Sequence, residues 1–246
     1  MNLVVDAPSG AVEITVADHD RTRPFLLLHG GGGVPTMARF ADLLASRTRS
    51  RVLLPTHPGF GGTDRPESLA SVADLAGAYV ALLDKLDLSD VTVAGNSFGG
   101  WLAAEIALLG SPRVTAAVLI DAIGAAVPGH PVADVAGMTP SELAAHAWHD
   151  PSRAPAPSSG PSPDLRALAA YTGAAMSDPA LLDRLTMLDL PVHVIWGESD
   201  RIVDTAHARA LAAAIPKSRL TVLPATGHLP QLETPEAVLA AVAQAV

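Results

Sequence analysis

The stretch that most constrains this chain is Val91-Thr92-Val93-Ala94-Gly95-Asn96-Ser97-Phe98-Gly99-Gly100, an apolar run that stops at Gly-x-Ser-x-Gly and leads into a helical pattern. A serine at a sharp strand-to-helix turn sits in strained backbone geometry, and the chain two residues to either side passes close by. Gly95 and Gly99 remove the side chains that would collide there. The helix that follows, with Leu102, Ile106 and Leu109 read as one apolar face, directs its positive N-terminal end toward Ser97 and favours negative charge developing there. Ser97 is therefore the candidate nucleophile.

Other apolar runs recur at Phe25 to Leu28, Arg51 to Leu54, Ala117 to Ile120, Val192 to Trp196 and Arg219 to Leu223. Most are too continuous to be strands with one wet face, so they predict a parallel sheet covered on both sides. Val4-Val5 and Glu13 to Val16, separated by Pro8-Ser9-Gly10, predict an antiparallel hairpin leading into it. Helical stretches lie between the strands. Ser71 with Asp74 forms a capping-box pattern ahead of Val72, Ala76, Tyr79, Leu83 and Leu86. Thr234-Pro235-Glu236 opens a C-terminal helix. The alternation predicts a doubly wound, mostly parallel eight-stranded sheet of the α/β class.

The alternation breaks between 124 and 190, where no strand is evident. Three helices are expected there, starting near Thr139-Pro140-Ser141-Glu142, near Ser162 or Pro163, and at Asp178-Pro179. Between the first two lies a flexible Pro-rich loop, 151–163. This reading divides the chain into a core, 1–123 and 191–246, and a small helical cap, 124–190, inserted after the sixth strand.

A serine hydroxyl needs a base to take its proton, and the base needs an acid to orient it. His228 follows the last strand and Asp200 the one before it, giving the chain order Ser, Asp, His. Asp121, at the end of the sixth strand, is the alternative acid, and Glu198 and Asp204 are nearby competitors. After the third strand comes His29-Gly30-Gly31-Gly32-Gly33, whose glycines let main-chain N–H groups approach an oxyanion. Phe98 N–H and Gly31 N–H are the expected donors, with Gly32 as the alternative to Gly31. The run lacks the Lys-Ser/Thr ending of a phosphate-binding loop.

Composition narrows the partners. The 246 residues carry a net charge of -9, only 17% are charged, and cysteine is absent. No basic cluster offers itself to nucleic acid or to an anionic membrane, and disulfides and thiolate chemistry are excluded. No apolar run approaches the ~20 residues that span a bilayer. The first residues lack the pattern of a signal peptide, so a cytoplasmic protein with a small-molecule substrate is expected. His146 and His149, three apart, have no evident third ligand, so no metal site is expected. Trp148, Tyr171, Met138, Met176 and Met187 are candidate pocket-lining residues.

Together these residues are similar to the α/β-hydrolase superfamily over about 24–246, excluding the cap. Pro58-Gly59-Phe60-Gly61-Gly62 resembles the family's Gly-rich turn, with His57 standing where many relatives have Asp. The elbow and the His-Gly-Gly-Gly loop resemble the branch of small carboxylesterases, enol-lactonases and meta-cleavage-product C–C hydrolases. The resemblance implies an α/β-hydrolase fold and a Ser97, His228, Asp200 triad, with no cofactor. It implies cleavage of a small carboxylic ester or lactone through an acyl-enzyme. The alternatives are C–C hydrolysis of the meta-cleavage type and a non-catalytic ligand-binding member of the fold. Leu229 departs from the Trp that commonly follows the histidine of the C–C hydrolases, and the cap is shorter than theirs.

Overall fold

The computed structural model describes residues 2–18, 22–155 and 163–243. In chain order the strands are β1 (Asn2–Ala7), β2 (Gly10–Asp18), β3 (Thr22–Leu28), β4 (Ser50–Thr56), β5 (Val91–Asn96), β6 (Val114–Ile120), β7 (Gly124–Ala125), β8 (Ser177–Asp178), β9 (Val192–Gly197) and β10 (Ser218–Leu223). The helices are α1 (Pro35–Thr48), α2 (Val72–Lys85), α3 (Phe98–Leu108), α4 (Pro140–Ala147), α5 (Pro163–Thr172), α6 (Leu181–Leu185), α7 (Thr205–Ala214), α8 (Pro230–Glu233) and α9 (Pro235–Val242).

Eight strands form one sheet in the order β1-β2-β4-β3-β5-β6-β9-β10. β2 pairs antiparallel with both β1 and β4, and every later pairing is parallel. Pro8 and Ser9 make the hairpin turn, since Ala7 faces Gly10. Successive side chains of a strand point to opposite faces, so β3 feeds two cores. Phe25 and Leu27 pack with Met37, Phe40, Leu44 and Val238 on one face. Leu26 and Leu28 pack with Leu75, Tyr79, Leu82 and Leu102 on the other. Each fully buried Leu or Phe contributes about 1.5–3 kcal/mol, so burial on both faces, more than intrinsic propensity, holds the central strands.

The predicted capping box at Ser71 is present, and the helix start read at Thr139 proves to be a second one. Ser71 Oγ accepts Asp74 N–H while an Asp74 oxygen accepts Ser71 N–H, and Thr139 and Glu142 repeat the pattern.

Several expectations are corrected. Leu109 is 51% exposed, because α3 ends at Leu108 and, lying between the sheet and its neighbours, is buried almost all round rather than on one stripe. β10 is not covered on both faces: it is the sheet edge, and Leu220 and Val222 are exposed. A two-residue parallel ladder, β7 with β8, lies in the segment read as strandless; two residues leave no apolar run to detect. Asp178-Pro179 does not cap a helix. The turn runs on to Ala180, α6 begins at Leu181, and Asp178 pairs with Arg184 instead. α4 stops at Ala147, so His149 lies beyond it. Of the Pro-rich stretch 151–163, residues 156–162 lie outside the described residues, as does Ser162 as a helix start, and Pro151–Arg153 form one 3-10 turn. No helix among the described residues is long and apolar enough to cross a membrane.

After β3 the chain winds to β4 on one side and then returns to β5 on the other, so the direction of winding reverses between β3 and β5. In open α/β sheets a crevice forms outside the carboxyl ends of the strands at such a point. His29, Ser97, Asp121 and Asp200 all follow the carboxyl ends of their strands, and His228 follows β10.

Candidate active site

Ser97 stands between β5 and α3 with φ 57° and ψ -117°. That region is costly for a residue with a side chain and persists only where its surroundings fix it. The surroundings are close main chain. A Cβ on Gly95 would collide with the Gly99 carbonyl, and one on Gly99 with the Leu28 carbonyl. Ser97 N–H donates to Ile120 O at 2.9 Å, and its carbonyl takes Gly100 and Trp101 N–H. Phe98, the first residue of α3, has no acceptor for its N–H within the helix.

The glycine loop meets the serine directly, since a Cβ on Gly30 would lie 3.0 Å from Ser97 Cβ. Gly33 N–H donates to Gly30 O at 3.1 Å. Gly31 and Gly32 are the central residues of that turn, and its bond uses neither of their N–H groups. A Cβ on Gly31 would stand 3.0 Å from Leu168 of α5, with Leu165 also close, whereas one on Gly32 would strike Thr36. Gly31 therefore faces the apolar side of α5 and Gly32 faces α1. Asp164 of α5 accepts Gly61 N–H at 2.9 Å, and Tyr171 donates to Pro58 O at 3.0 Å, so α5 spans both glycine-rich loops.

Behind the loop lies a network around His57, the residue just before the Gly-rich turn. His57 N–H donates to His29 Nε2 at 3.2 Å, so that nitrogen carries no proton. His29 Nδ1 then donates to Gly30 O at 2.8 Å. His57 Nε2 faces His29 O at 3.0 Å and must donate, so His57 Nδ1 accepts the Tyr79 hydroxyl at 2.6 Å. His29 must be neutral for these bonds to form, and a neutral His57 completes the pattern with Tyr79 as donor. Burial agrees, lowering His29 to about 4 and His57 well below the usual histidine range, and pushing the Tyr79 phenol up.

His228 and Asp200 meet at 2.7 Å between Nδ1 and Oδ2, both side chains buried. A carboxylate only accepts, so His228 Nδ1 is the donor and Nε2 is left as the basic nitrogen. Asp200 Oδ1 accepts Ile202 and Val203 N–H at 2.8 and 3.1 Å. The alternative acids separate clearly. Asp204 caps α7 and pairs with His130, whereas Asp121 is buried beside Asp200 and His228. One ligand atom from each of Asp121, Asp200 and His228 lies within 4.8 Å of the others, the one such trio of potential metal ligands among the described residues. A tetrahedral zinc ion at about 2.1 Å from each ligand would hold two of them roughly 3.4 Å apart. The 2.7 Å between His228 and Asp200 is instead that of a charge-assisted hydrogen bond. His146 and His149 do not converge: one ring bonds Glu142 O and the other Ser199 Oγ.

Three residues that join these parts were not foreseen. Asn96 Nδ2 donates to His228 O at 2.9 Å and to Ile120 O at 3.3 Å, and Gln231 Nε2 donates to Asn96 Oδ1 at 3.2 Å. Glu233 accepts Gly227 N–H at 2.7 Å and His149 N–H at 2.9 Å. Of the five candidate pocket residues, Tyr171 packs on Phe98, with ring centroids 5.7 Å apart. Met187 is 81% exposed, and Trp148 clusters with Ile202.

A family model described as Alpha/beta hydrolase family matches residues 25–241. The chain belongs to that family. Among relatives of this α/β hydrolase is a 2-hydroxymuconate semialdehyde hydrolase of Pseudomonas putida, 30% identical over 96% of this chain and 94% of that protein. A 2-hydroxy-6-oxo-2,4-heptadienoate hydrolase from a Pseudomonas putida strain is 37% identical over 47% of this chain, and the match spans only 43% of that protein. A thermophilic esterase from Thermogutta terrifontis superposes with a TM-score of 0.78 at 23% identity, covering 99% of this chain and 97% of that one. At that identity the likeness carries the fold.

Proposed function

We propose that this α/β hydrolase is a serine hydrolase that cleaves a small carboxylic ester or lactone. The observation that carries the reading is the buried 2.7 Å His228–Asp200 pair held against the Ser97 turn by Asn96. In this reading Ser97 attacks the carbonyl carbon as His228 Nε2 takes its proton, and Asp200 fixes the tautomer and stabilises the imidazolium. Phe98 and Gly31 N–H groups receive the oxyanion. The alcohol leaves with the proton from His228, and water, deprotonated by the same ring, releases the acyl group. The segment 124–190 acts as a cap, and Leu165 and Leu168, near Gly31, offer contact to an uncharged acyl group.

A second reading, C–C hydrolysis, is favoured by the relative that matches nearly the full length. That relative is a 2-hydroxymuconate semialdehyde hydrolase. The same serine, base and oxyanion donors would serve it.

The test is parallel assay of p-nitrophenyl esters, lactones and 2-hydroxy-6-oxo-dienoates, with wild type and Ser97→Ala. We expect ester or lactone turnover that falls on the order of 10³-fold or more in the variant, and covalent fluorophosphonate labelling that needs Ser97. Turnover of the dienoate alone would transfer the assignment to C–C cleavage. Labelling and turnover that survive the substitution would remove Ser97 from the chemistry.

A further inference from the structure

Asp121 follows β6 in left-handed backbone, φ 44°, with a fully buried side chain. For an aspartate that conformation is costly unless something fixes it. Its two oxygens are unequal. Oδ1 accepts Gly197 N–H at 2.8 Å, while Oδ2 is buried with no donor among the described residues. The carboxyl of Asp121 lies beside that of Asp200. Asp200, by contrast, accepts three N–H groups, from Ile202, Val203 and His228. The ionisable groups around Asp121 besides Asp200 are His228, which also lies close by, and Glu233, another acid.

Two carboxylates within 4.8 Å of each other in a buried site disfavour double ionisation, which favours one proton shared by the pair. The donor count decides which keeps the charge. Three N–H groups stabilise the anion on Asp200, and one does so on Asp121. A carboxyl is acceptor-only when ionised and gains a donor when protonated. A proton on Asp121 Oδ2 therefore turns an unsatisfied acceptor into a donor aimed at Asp200.

We propose that Asp121 is held as a neutral carboxylic acid that donates its proton to Asp200, making it a positioning residue that keeps Asp200 anionic and directed at His228. The proton is not transferred during turnover, and Asp121 touches no substrate. Burial and the Asp200 charge push the Asp121 carboxyl well above the ordinary carboxylate range, in the same direction. The kinetic part rests on the triad reading above; the assignment of the proton does not.

Infrared spectroscopy of the full chain at pH 7 tests the proton directly. We expect the C=O band of a protonated carboxyl in the wild type and its loss in Asp121→Asn. Absence of the band from the wild type, or its survival in the variant, overturns the proposal. Asp121→Asn keeps both a donor toward Asp200 and an acceptor for Gly197. Its kcat/KM is expected within about threefold of wild type, with the acid limb of the pH profile unmoved. A downward shift of that limb would mean that a negative charge had been removed, and would refute a neutral Asp121. Asp121→Ala removes the donor and concentrates the Asp200 charge on His228. We expect the acid limb to move to higher pH and kcat/KM to fall about tenfold; an unmoved limb overturns the positioning role. Should the alanine variant not fold, the asparagine variant and the spectrum still decide. Full activity in Ser97→Ala with the band behaving as expected would sink the triad reading alone.

Discussion

Asn96 Nδ2 donates to the carbonyl of His228 at 2.9 Å, joining the serine turn to the histidine loop across 132 residues of chain. Because Asn96 is buried, replacing it leaves the carbonyls of His228 and Ile120 without this donor. We predict that Asn96→Ala loses about 1–3 kcal/mol of stability. Displacement of a reacting group by about 1 Å costs up to ~100-fold, so kcat should fall by roughly 10- to 100-fold with little change in KM. A thermal melt and ester kinetics check both. A folded variant with wild-type kcat would show that the histidine is placed without this bond.

The elbow glycines make a second, steric prediction. Gly99→Ala must push a methyl group into the Leu28 carbonyl, which belongs to a central strand and has nowhere to go. Overpacking of this kind costs about 1–3 kcal/mol and more when backbone must move. The variant should melt well below wild type and lose activity with it. Gly137→Ala meets nothing within 4 Å and should change stability by no more than about 0.5 kcal/mol. Equal melting temperatures for the two variants would contradict the close approach.

The serine turn and its partners were legible because their signals are local. Gly95 and Gly99 announce a tight turn around Ser97, and the positions of Asp200 and His228 after successive strands need only the chain order. What links them was not legible. Asn96 reads as the variable residue of a motif, and Glu233 as the acid before a helix, until folding brings each against the histidine loop. Nor does apolarity say where a strand lies in a sheet. Arg219 to Leu223 reads like Val192 to Trp196, yet one run is at the edge and the other lies within. His57 reads as a turn residue because its partners, Tyr79 and the His29 carbonyl, are 22 and 28 residues away.

Acid should destabilise the fold through its buried neutral histidines. Burial lowers His29 from 6.5 to about 4 and lowers His57, His193 and His207 in the same direction. Below pH 6.5 the unfolded chain takes up protons that the native rings refuse, so stability falls with falling pH until about pH 4, where native His29 also protonates. At about 1.4 kcal/mol per pH unit, His29 alone accounts for roughly 3 kcal/mol. Asp121 acts oppositely, since its raised affinity lets the native state bind a proton that the unfolded chain has lost. Four histidines against one acid set the net sign. Guanidinium midpoints measured from pH 7.5 to 4.5 should fall; a flat profile would mean that the His29–His57 network tolerates charge.

Glu233 closes the site from the other side. Its oxygens accept Gly227 N–H at 2.7 Å and His149 N–H at 2.9 Å, while His228 N–H donates to Ala147 O at 2.8 Å. The carboxylate thus ties the end of the helical segment to the residue before the histidine. Glu233→Gln turns one acceptor into a donor facing an N–H group, at a cost of about 1–3 kcal/mol for the unpaired donor. Glu233→Ala removes both acceptors and should be worse. If the bridge positions His228, kcat falls in the order wild type, Gln, Ala, by about tenfold at the first step, and KM holds. If it serves instead to hold the 147–149 segment against substrate, KM rises in that order and kcat holds. Steady-state kinetics of the two variants on one ester therefore separate a bridge that aims the base from one that shapes the pocket.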